Sequence, residues 1–467
     1  MTLPLRLLSL AALIPAMLPI CAFGPDVTQS RSLPDIIVTA APVYAPLAAL
    51  KGGERFPKGA QLLFVHDGKT EPLVPNFSAS ADANISFDGQ RVLFSGKQAA
   101  ADPWQIWELT LTDRSVRKLI AADTDAIRPF YLPAGRLVYA RHTPHGFELE
   151  AAGKDNPNLF APIDSDTGRT VIPLTYLPSS AIPTDVLKDG RILFESNFPL
   201  GTGTTSELFL VYSDGSGVES YRCDHGRARW GGKQLASGDV VFTHGASLAR
   251  FTSPLAQEAP IPAPNVEYAG SISELPSGAW LVSTRPAASA HFALQQWSPE
   301  TPTLQPVLAI PGQNLIDPVV VSPRPRPKRH PSGLHDWSYA NLLALDSRQS
   351  REGDLKVAPA QVRLQTLDAQ GHPIAIGTAP IESDGSFFVQ TPADKPIRFA
   401  LLNQKGEVVR QQHGWFWIRR GEQRICVGCH TGPERSSENH VPAVLLSTTT
   451  PVNLTGIKPQ ASTPGGN

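Results

Sequence analysis

Cysteine, methionine and surplus charge are all scarce in this chain of 467 residues. Its 4 cysteines are too few for the disulfide frameworks that stabilise small secreted domains. Its 2 methionines, Met1 and Met17, leave the rest of the chain without a thioether side chain. The 41 basic and 42 acidic residues give a formal net charge of −1, which excludes the polycationic surface typical of nucleic-acid-binding proteins.

Long apolar runs are also missing. The longest, from Leu7 to Ile20, is short of the about 20 apolar residues that a membrane-spanning helix needs. With Arg6 before it and Ala22 after it, the run predicts a signal peptide over residues 1–22 and export, to the periplasm or elsewhere. A lipid anchor at Cys21 is the alternative, although the bulky residue before it fits a lipoprotein cleavage site poorly. We predict no integral span in the mature chain.

Proline and glycine are abundant, with 45 and 37 residues, and 18% of all residues are charged. This composition favours short strands and turns over long helices, so we predict an all-β chain. Between residues 53 and 321 a unit recurs in which a glycine turn leads into an apolar strand. The intervals between turn glycines, 46, 55, 48 and 40 residues, are typical of four-stranded propeller blades. These glycines are Gly89, Gly135, Gly190, Gly238 and Gly278.

One of these units, Ser86 to Ser95, resembles the repeat of TolB-like β-propellers, in which an Asp-Gly turn precedes a strand buried on both faces. Five such units are clear. A further strand set at Gln61 to Leu73, closed by Val319 to Val321, predicts a β-propeller of six or seven blades over residues 50–321. A β-sandwich is the rival, but the regular spacing of the turns disfavours it.

Beyond the propeller the composition changes. Residues 322–332 are rich in Pro and Arg and predict a semi-rigid linker, with His330 facing solvent. Strand patterns then resume, for example at Gln361 to Gln365 and Ile397 to Leu402, and predict a small β-sandwich-like domain over residues 333–450. Residues 451–467 are rich in Pro, Thr, Gly and Asn, so we predict a disordered tail.

The most specific motif of the chain is Cys426-Val427-Gly428-Cys429-His430. Cys-x-x-Cys-His is the attachment sequence of c-type haem, in which two thiols add to the vinyl groups of one porphyrin and the adjacent imidazole becomes an axial iron ligand. We therefore predict one covalent haem c, attached through Cys426 and Cys429, with His430 as the proximal iron ligand. The predicted export agrees with this cofactor.

Two other interpretations of the motif are weaker. A thioredoxin-like redox pair needs a helix start inside a βαβ unit and does not require the histidine. A structural zinc site needs four Cys or His ligands, yet the one other cysteine after the signal, Cys223, lies far upstream. We expect Cys223 to be a small buried side chain.

Several segments resemble the middle domain of the hydrazine synthase alpha subunit family: Ser383 to Phe387, Thr391 to Pro396, Gly421-Glu422 and Cys426 to His430. The resemblance implies a β-propeller followed by a sandwich-like domain that ends in a c-type haem segment. In that family the first haem is associated with a nearby tyrosine, whereas no tyrosine follows Tyr339 here. Only Cys426, Cys429 and His430 are therefore carried over.

The second axial ligand decides what the iron does, because two strong ligands favour electron transfer and an open position favours chemistry on a small molecule. Methionine is excluded after residue 17. His413, which precedes the aromatic run Trp415 to Trp417, and His335 are candidate distal ligands, and His440 is a weaker one. The aromatic run walls a haem, closes the sandwich, or does both.

We predict a periplasmic mono-haem cytochrome that transfers single electrons to a redox partner protein, with the propeller as scaffold or docking platform. A haem oxidoreductase acting on a small nitrogen or oxygen compound at an open iron is one alternative, and a redox- or gas-sensing binding module is another. No separate catalytic residues are predicted. Arginines around the motif, Arg419, Arg420, Arg424 and Arg435, either pair with haem propionates, dock an acidic partner or serve solubility.

Overall fold

The computed structural model describes residues 33–153, 169–197, 206–222, 228–350, 353, 355–412, 414–428 and 439–456. Within these ranges the chain is almost wholly β, which confirms the predicted fold class. The predicted signal peptide, Cys21 and Cys223 lie outside the described residues. From Pro34 onward the described residues belong to one compact unit.

Twenty-four strands precede residue 321 in the described part of the chain. The first twelve are β1 Ile36–Ala41, β2 Gln61–His66, β3 Lys69–Pro72, β4 Ala79–Ile85, β5 Arg91–Lys97, β6 Gln105–Thr110, β7 Val116–Ile120, β8 Ala126–Tyr131, β9 Leu137–Thr143, β10 Gly146–Gly153, β11 Thr170–Pro173 and β12 Ala181–Val186. The next twelve are β13 Ile192–Ser196, β14 Glu207–Val211, β15 Glu219–Ser220, β16 Arg229–Gln234, β17 Val240–His244, β18 Ser247–Phe251, β19 Ala259–Pro260, β20 Glu267–Glu274, β21 Trp280–Arg285, β22 Ala293–Trp297, β23 Leu304–Leu308 and β24 Asn314–Val320. Short 3₁₀ turns occupy Ala49–Lys51 and Pro133–Gly135.

These strands form six four-stranded antiparallel sheets, the blades. Blade 1 has the strand order β24-β1-β2-β3, and blades 2 to 6 take four consecutive strands each, beginning at β4, β8, β12, β16 and β20. The first strands of neighbouring blades contact one another in a closed ring. The prediction of six or seven blades therefore resolves to six in the described residues.

Ring closure joins the two ends of the propeller. Strand β24 pairs antiparallel with β1, with Ile37 opposite Val319 and Ala41 opposite Asn314. The expected closing role of residues 319–321 thus falls to the longer strand β24. The predicted start at residue 50 is too late, because β1 begins at Ile36 and belongs to blade 1.

The recurring glycine turns were placed correctly. Each joins the first strand of blades 2 to 6 to the second, and each glycine has a left-handed backbone, with φ of 75, 71, 92, 101 and 83° in chain order. A side chain rarely tolerates that conformation, so glycine favours the tight hairpin. The strands that follow are buried and apolar, as in Ile192–Ser196, and form the cores between blades.

Polar, bulged strands line the centre of the ring. Asp82, Arg128 and Asp317 lie at register shifts of β4, β8 and β24 and have left-handed φ of 61, 56 and 53°. Arg55, from the β1–β2 connection, donates to Asp317 at 2.7 Å and to Asp82 at 2.5 Å, while Arg128 donates to Asp317 at 3.1 Å. These buried ion pairs tie blades 1, 2 and 3 together.

The predicted linker, residues 322–332, lies against the propeller, and we call it the strap. Arg324 donates from its backbone N–H to Phe87 O at 3.0 Å, and its guanidinium lies over the Phe87 ring. His330 stacks on Tyr212, with ring centroids 3.7 Å apart. The expectation that His330 faces solvent is therefore wrong.

A second region follows the strap and contains two further four-stranded sheets, the C-terminal sheet pair. Its elements are β25 Tyr339–Ala344, β26 Gln361–Leu367, β27 Pro373–Pro380, β28 Phe387–Pro392, β29 Ile397–Leu402, β30 Val408–Gln411, β31 Gln423–Cys426, α1 Ala443–Ser447 and β32 Val452–Asn453. One sheet has the order β31-β25-β28-β32 and the other β27-β26-β29-β30. Alternate residues of both face one apolar core, as expected for a sandwich, among them Leu342, Leu364, Val389 and Phe399.

The start of the predicted disordered tail is ordered. Strand β32 pairs in parallel with β28, with Val389 opposite Val452. Leu454 is buried in the sandwich core and donates its backbone N–H to Gln390 O at 3.0 Å. Residues 457–467 lie outside the described part of the chain.

Candidate haem-attachment site

The first cysteine of the motif ends an edge strand. Cys426 is the last residue of β31, which pairs in parallel with β25 so that Cys426 lies opposite Ala344. Its thiol is free and half-buried. Ile425 and Val427 on either side are 64% and 49% exposed, an unusual position for branched apolar side chains. Because successive side chains of a strand point to opposite faces, the exposed pair lies away from the Cys426 side chain, which packs against the sandwich core.

The backbone after Cys426 is held against the turn that follows β25. A Cβ atom on Gly428 would lie 3.1 Å from Asp346 O and 3.2 Å from Gln349 Cβ, so a larger residue would press on this turn. Arg348 donates to the Asp346 carboxylate at 2.8 Å. The backbone at Gly428 thus lies against a braced turn. Cys429 and His430 lie outside the described residues.

The turn also connects the motif to the start of β28. Ser347 donates its backbone N–H and its hydroxyl to Gly385 O, both at 2.8 Å. Phe387 lies opposite Ala344 on β25, which in turn lies opposite Cys426. Two strand spacings of about 4.8 Å separate β31 from β28. Residues just before Phe387 therefore lie at the same end of the sheet as Cys426.

Asp384 anchors the C-terminal segment at this edge. Its carboxylate accepts the Ala443 N–H at 2.7 Å, and Ser386 Oγ accepts the Val444 N–H at 3.1 Å. Burial raises the pKa of Asp384, but the hydrogen bonds that its carboxylate accepts outweigh burial and lower the pKa below its ordinary value. His440 Nδ1 lies 3.9 Å from the carboxylate and the imidazole is exposed. His440, the weaker candidate from the sequence, thus lies at the same end of the sheet as Cys426.

His335 lies elsewhere. It precedes β25, is exposed, and donates its backbone N–H to Gly421 O at 3.1 Å. Gly421 and Cys426 are five residues apart near opposite ends of β31, about 16 Å at the rise of a strand. The structure therefore does not bring His335 to the motif. His413 lies outside the described residues.

The aromatic run packs against the propeller. Trp417 is 1% exposed, donates its indole N–H to Gly215 O at 2.9 Å and contacts the ring of Tyr176. Phe416 forms a backbone bridge to Ile397 in the sandwich. The run therefore joins the sheet pair to blade 4, and a role in walling a haem stays a prediction.

Two of the four arginines near the motif also make propeller contacts. Arg419 donates to Asp214 O at 3.0 Å, to Asp394 at 2.7 Å and to the Tyr176 hydroxyl. Arg424 donates to Val218 O. Arg420 is exposed, and Arg435 lies outside the described residues. Arg419 and Arg424 therefore hold two parts of the molecule together.

Glu422 completes this contact. Its carboxylate accepts the Gly217 N–H at 3.2 Å and the Arg419 N–H at 2.8 Å. Burial raises the pKa of Glu422 above its ordinary value. The β14–β15 turn, residues 214–218, is thus gripped by the segment that leads directly into β31.

The residues present at the edge fit a covalent haem. Cys426 has a free, half-buried thiol that packs against the sandwich core, its neighbours Ile425 and Val427 are exposed and apolar, and β31 is anchored. The described residues contain no cluster of three or more His, Cys, Asp or Glu side chains placed to hold a metal ion. None of the described helices is both long and apolar enough to cross a membrane.

Comparison with known proteins identifies the region that carries this edge. A family model described as the hydrazine synthase alpha subunit middle domain matches residues 348–431, a range that contains the whole motif. Hydrazine synthase subunit alpha from Kuenenia stuttgartiensis is 38% identical over 60 residues, 13% of this chain and 7% of the relative. The chain is hydrazine synthase alpha subunit-like. The aligned part spans only a small fraction of that relative's length.

Solved structures extend the likeness to the fold of this alpha subunit-like chain. Hydrazine synthase from Kuenenia stuttgartiensis superposes with a TM-score of 0.77 over 89% of this chain and 71% of that chain, at 17% identity. TolB from Acinetobacter baumannii has a TM-score of 0.41 at 13% identity, over 61% of this chain and 66% of that chain. The predicted resemblance, a propeller followed by the middle-domain fold, is confirmed.

Sequence reasoning missed the residues that brace the motif. Asp346 and Gln349 carry no local signal, because their role depends on contact with Gly428 across the sheet edge. Asp384 was named only within the resembling segment Ser383 to Phe387, although its carboxylate holds the segment with His440. Both roles arise from strand register.

Proposed function

We propose that this chain is an exported mono-haem c-type protein that transfers single electrons, with the propeller as its docking platform. One observation carries the proposal: the Cys-x-x-Cys-His motif begins at a free, half-buried thiol at the end of an anchored edge strand, in a segment with two exposed apolar side chains. The match of residues 348–431 to the alpha subunit middle domain supports it.

The chain's own residues would hold the cofactor as follows. The thiols of Cys426 and Cys429 would hold the haem through two thioether bonds, and His430 would supply a ring nitrogen to the iron. Bound there, the haem would supply reversible one-electron chemistry. Ile425 and Val427 would offer exposed apolar surface in the attachment segment.

The position of His440 gives a candidate for the second axial ligand. It lies at the same end of the sheet as Cys426. The Asp384 carboxylate is 3.9 Å from its Nδ1, so Nε2 remains available to bind a metal. His413 stays a candidate from sequence alone, and His335 is the least favoured because of its place at the other end of β31. Two histidine ligands would favour electron transfer over catalysis.

The anchoring of the motif suits electron transfer. The segment before β31 is fixed to blade 4 through Trp417, Arg419 and Glu422, so the cofactor would sit at a constant position relative to the propeller. A redox partner protein would then dock on a rigid body. The name of the relative describes it as a subunit, and this supports a protein partner.

The first test is the absorption spectrum of the exported protein, oxidised and reduced, with and without carbon monoxide. A low-spin reduced spectrum that carbon monoxide leaves unchanged is expected. Cys426→Ser with Cys429→Ser should abolish haem staining on a denaturing gel, while the matched Cys223→Ser variant should keep it. Staining in the double variant would overturn the proposal.

The alternative is a haem oxidoreductase acting on a small nitrogen or oxygen compound at an open iron. The name of the 38% identical relative, a synthase subunit, favours this candidate. A high-spin spectrum that shifts with carbon monoxide, followed by turnover of such a compound, would select it. Ligand binding without turnover would select a redox or gas sensor instead.

A further inference from the structure

A pocket of about 320 Å³ lies between blades 2 and 3, beneath the strap. Its walls are the β4–β5 turn, the outer part of blade 2 and the β8–β9 turn, and Arg326 of the strap lines it as well. Its volume falls at the lower end of the range of small-molecule sites, about 300–1,000 Å³. It is separate from the sheet edge that carries Cys426.

The pocket is lined mainly by cations. Five arginines and two carboxylates border it, so arginines outnumber carboxylates among its described lining residues. The arginines are Arg91, Arg117, Arg136, Arg169 and Arg326, and the carboxylates are Asp88 and Glu108. They come from two blades and the strap, so the tertiary fold brings these charges together, and no single segment of the chain contains them all.

The buried carboxylate is already satisfied by groups of blades 2 and 3. Glu108 accepts from the Tyr131 hydroxyl at 2.8 Å and from Arg117 Nε at 2.8 Å. Arg91 lies 3.6 Å from it and 3.4 Å from Asp88. These pairs neutralise Arg91 and Arg117.

Arg136 and Arg326 also line the pocket, and neither forms an ion pair within 4 Å in the described part of the chain. Arg136 is half-buried and donates to Ser213 O at 2.7 Å and to Ser213 Oγ at 3.4 Å, both neutral acceptors. Burial lowers the pKa of Arg136, although the more distant Asp214 acts in the opposite direction. Arg326 belongs to the strap and is exposed. A desolvated cation is costly unless an anion pairs with it.

We propose that this pocket binds a small polyanion of phosphate or carboxylate chemistry, held between Arg136 on blade 3 and Arg326 on the strap. The planar guanidinium presents paired donors that match such oxygens. A bound polyanion would link the strap to blade 3 and so fasten the connection between the propeller and the C-terminal sheet pair. The proposal is independent of haem.

The test is calorimetric titration of the full exported chain with pyrophosphate and with citrate, in a phosphate-free buffer. We expect saturable binding of at least one probe, and the preferred probe tells phosphate from carboxylate chemistry. Arg326→Gln should weaken binding about tenfold or more, since it removes a charged contact from an exposed strap residue. Arg250→Gln, an exposed arginine of blade 5 paired with Asp239, is the matched control and should not change binding.

A second readout does not depend on heat. Saturating probe should slow backbone hydrogen exchange in the strap of the wild-type protein, and Arg136→Gln should remove that protection. Absence of binding by both probes would overturn the proposal. Equal affinity in the wild type, Arg326→Gln and Arg136→Gln would overturn it too, because binding would then occur elsewhere.

Discussion

Asp317 offers the sharpest test of how the propeller closes. It lies on β24, the strand that joins the two ends of the ring, and is 7% exposed. Its carboxylate accepts from Arg55 at 2.7 Å, from Arg128 at 3.1 Å and from the Ser271 N–H at 2.7 Å. One side chain thus connects four parts of the ring. We predict that Asp317→Asn and Asp317→Ala both destabilise the propeller strongly.

The magnitude follows from what each variant removes. Breaking a buried ion pair by deleting one partner costs about 3–5 kcal/mol, because the remaining charge stays buried. Asn keeps the shape of the side chain and tolerates the left-handed backbone at φ 53°, so Asp317→Asn should cost about this amount. Ala tolerates that backbone poorly, which adds about 1–2 kcal/mol.

Urea denaturation followed by tryptophan fluorescence and by circular dichroism measures the effect. Glu71→Gln is the matched control, since Glu71 is 62% exposed in its pair with Arg114 and should cost less than about 1 kcal/mol. If Asp317→Asn were as stable as this control, the ion pairs at the centre would not hold the ring closed, and our account of closure would be refuted.

The pH dependence gives an independent check on Asp317. Burial favours the neutral acid, but Arg128 and Arg55 outweigh it and lower the pKa of Asp317 below its ordinary 3.8. The carboxylate therefore stabilises the fold above the pKa of the unfolded state. This stabilisation is lost as the pH falls through the lower folded pKa. Asp317→Asn should reduce the acid dependence of stability, and an unchanged profile would contradict this assignment.

Three further predictions concern the motif and its support. Trp417→Ala should loosen the C-terminal sheet pair from blade 4 at a cost of about 3–5 kcal/mol, seen as faster proteolysis of the strap, whereas Trp337→Ala, an exposed indole, should not. Asp384→Asn should release α1 at neutral pH, as measured by hydrogen exchange. In the wild type the same release should begin only as the pH falls below the ordinary carboxyl pKa. Equal exchange in both proteins at neutral pH would contradict this. Gly428→Ala should reduce haem attachment, measured as absorbance per protein, because the added Cβ presses on Asp346; full attachment would show that the turn yields.

The local sequence was sufficient for the repeated hairpins. Each glycine turn leads into an apolar strand, and both signals lie within about ten residues, the range over which pattern reasoning works. Ile397–Leu402 was placed at its observed bounds for the same reason. The Cys-x-x-Cys-His motif is local too, and it carried the haem prediction and pointed to the family.

The first strands of the blades could not be found in this way. Strands such as Ala79–Ile85 and Arg229–Gln234 are largely buried but contain small, polar and charged residues and a bulge. Their polar groups are satisfied by neighbouring blades, as Asp82 is by Arg55, so burial leaves no apolar run in the sequence. Strand β1 was missed because its closing partner, β24, lies at the other end of the propeller.

The sequence by itself therefore determined the chemistry at Cys426, the turns, the repeat and the class of fold, since each depends on residues close together in the chain. Tertiary structure alone decided which strands close the ring, which histidine shares an edge with Cys426, and that Trp417 faces the propeller. It also gathered arginines from two blades and the strap around one pocket. These features depend on strand register and on contacts between distant residues. The free energy of packing of the whole chain determines them, and no short sequence pattern encodes them.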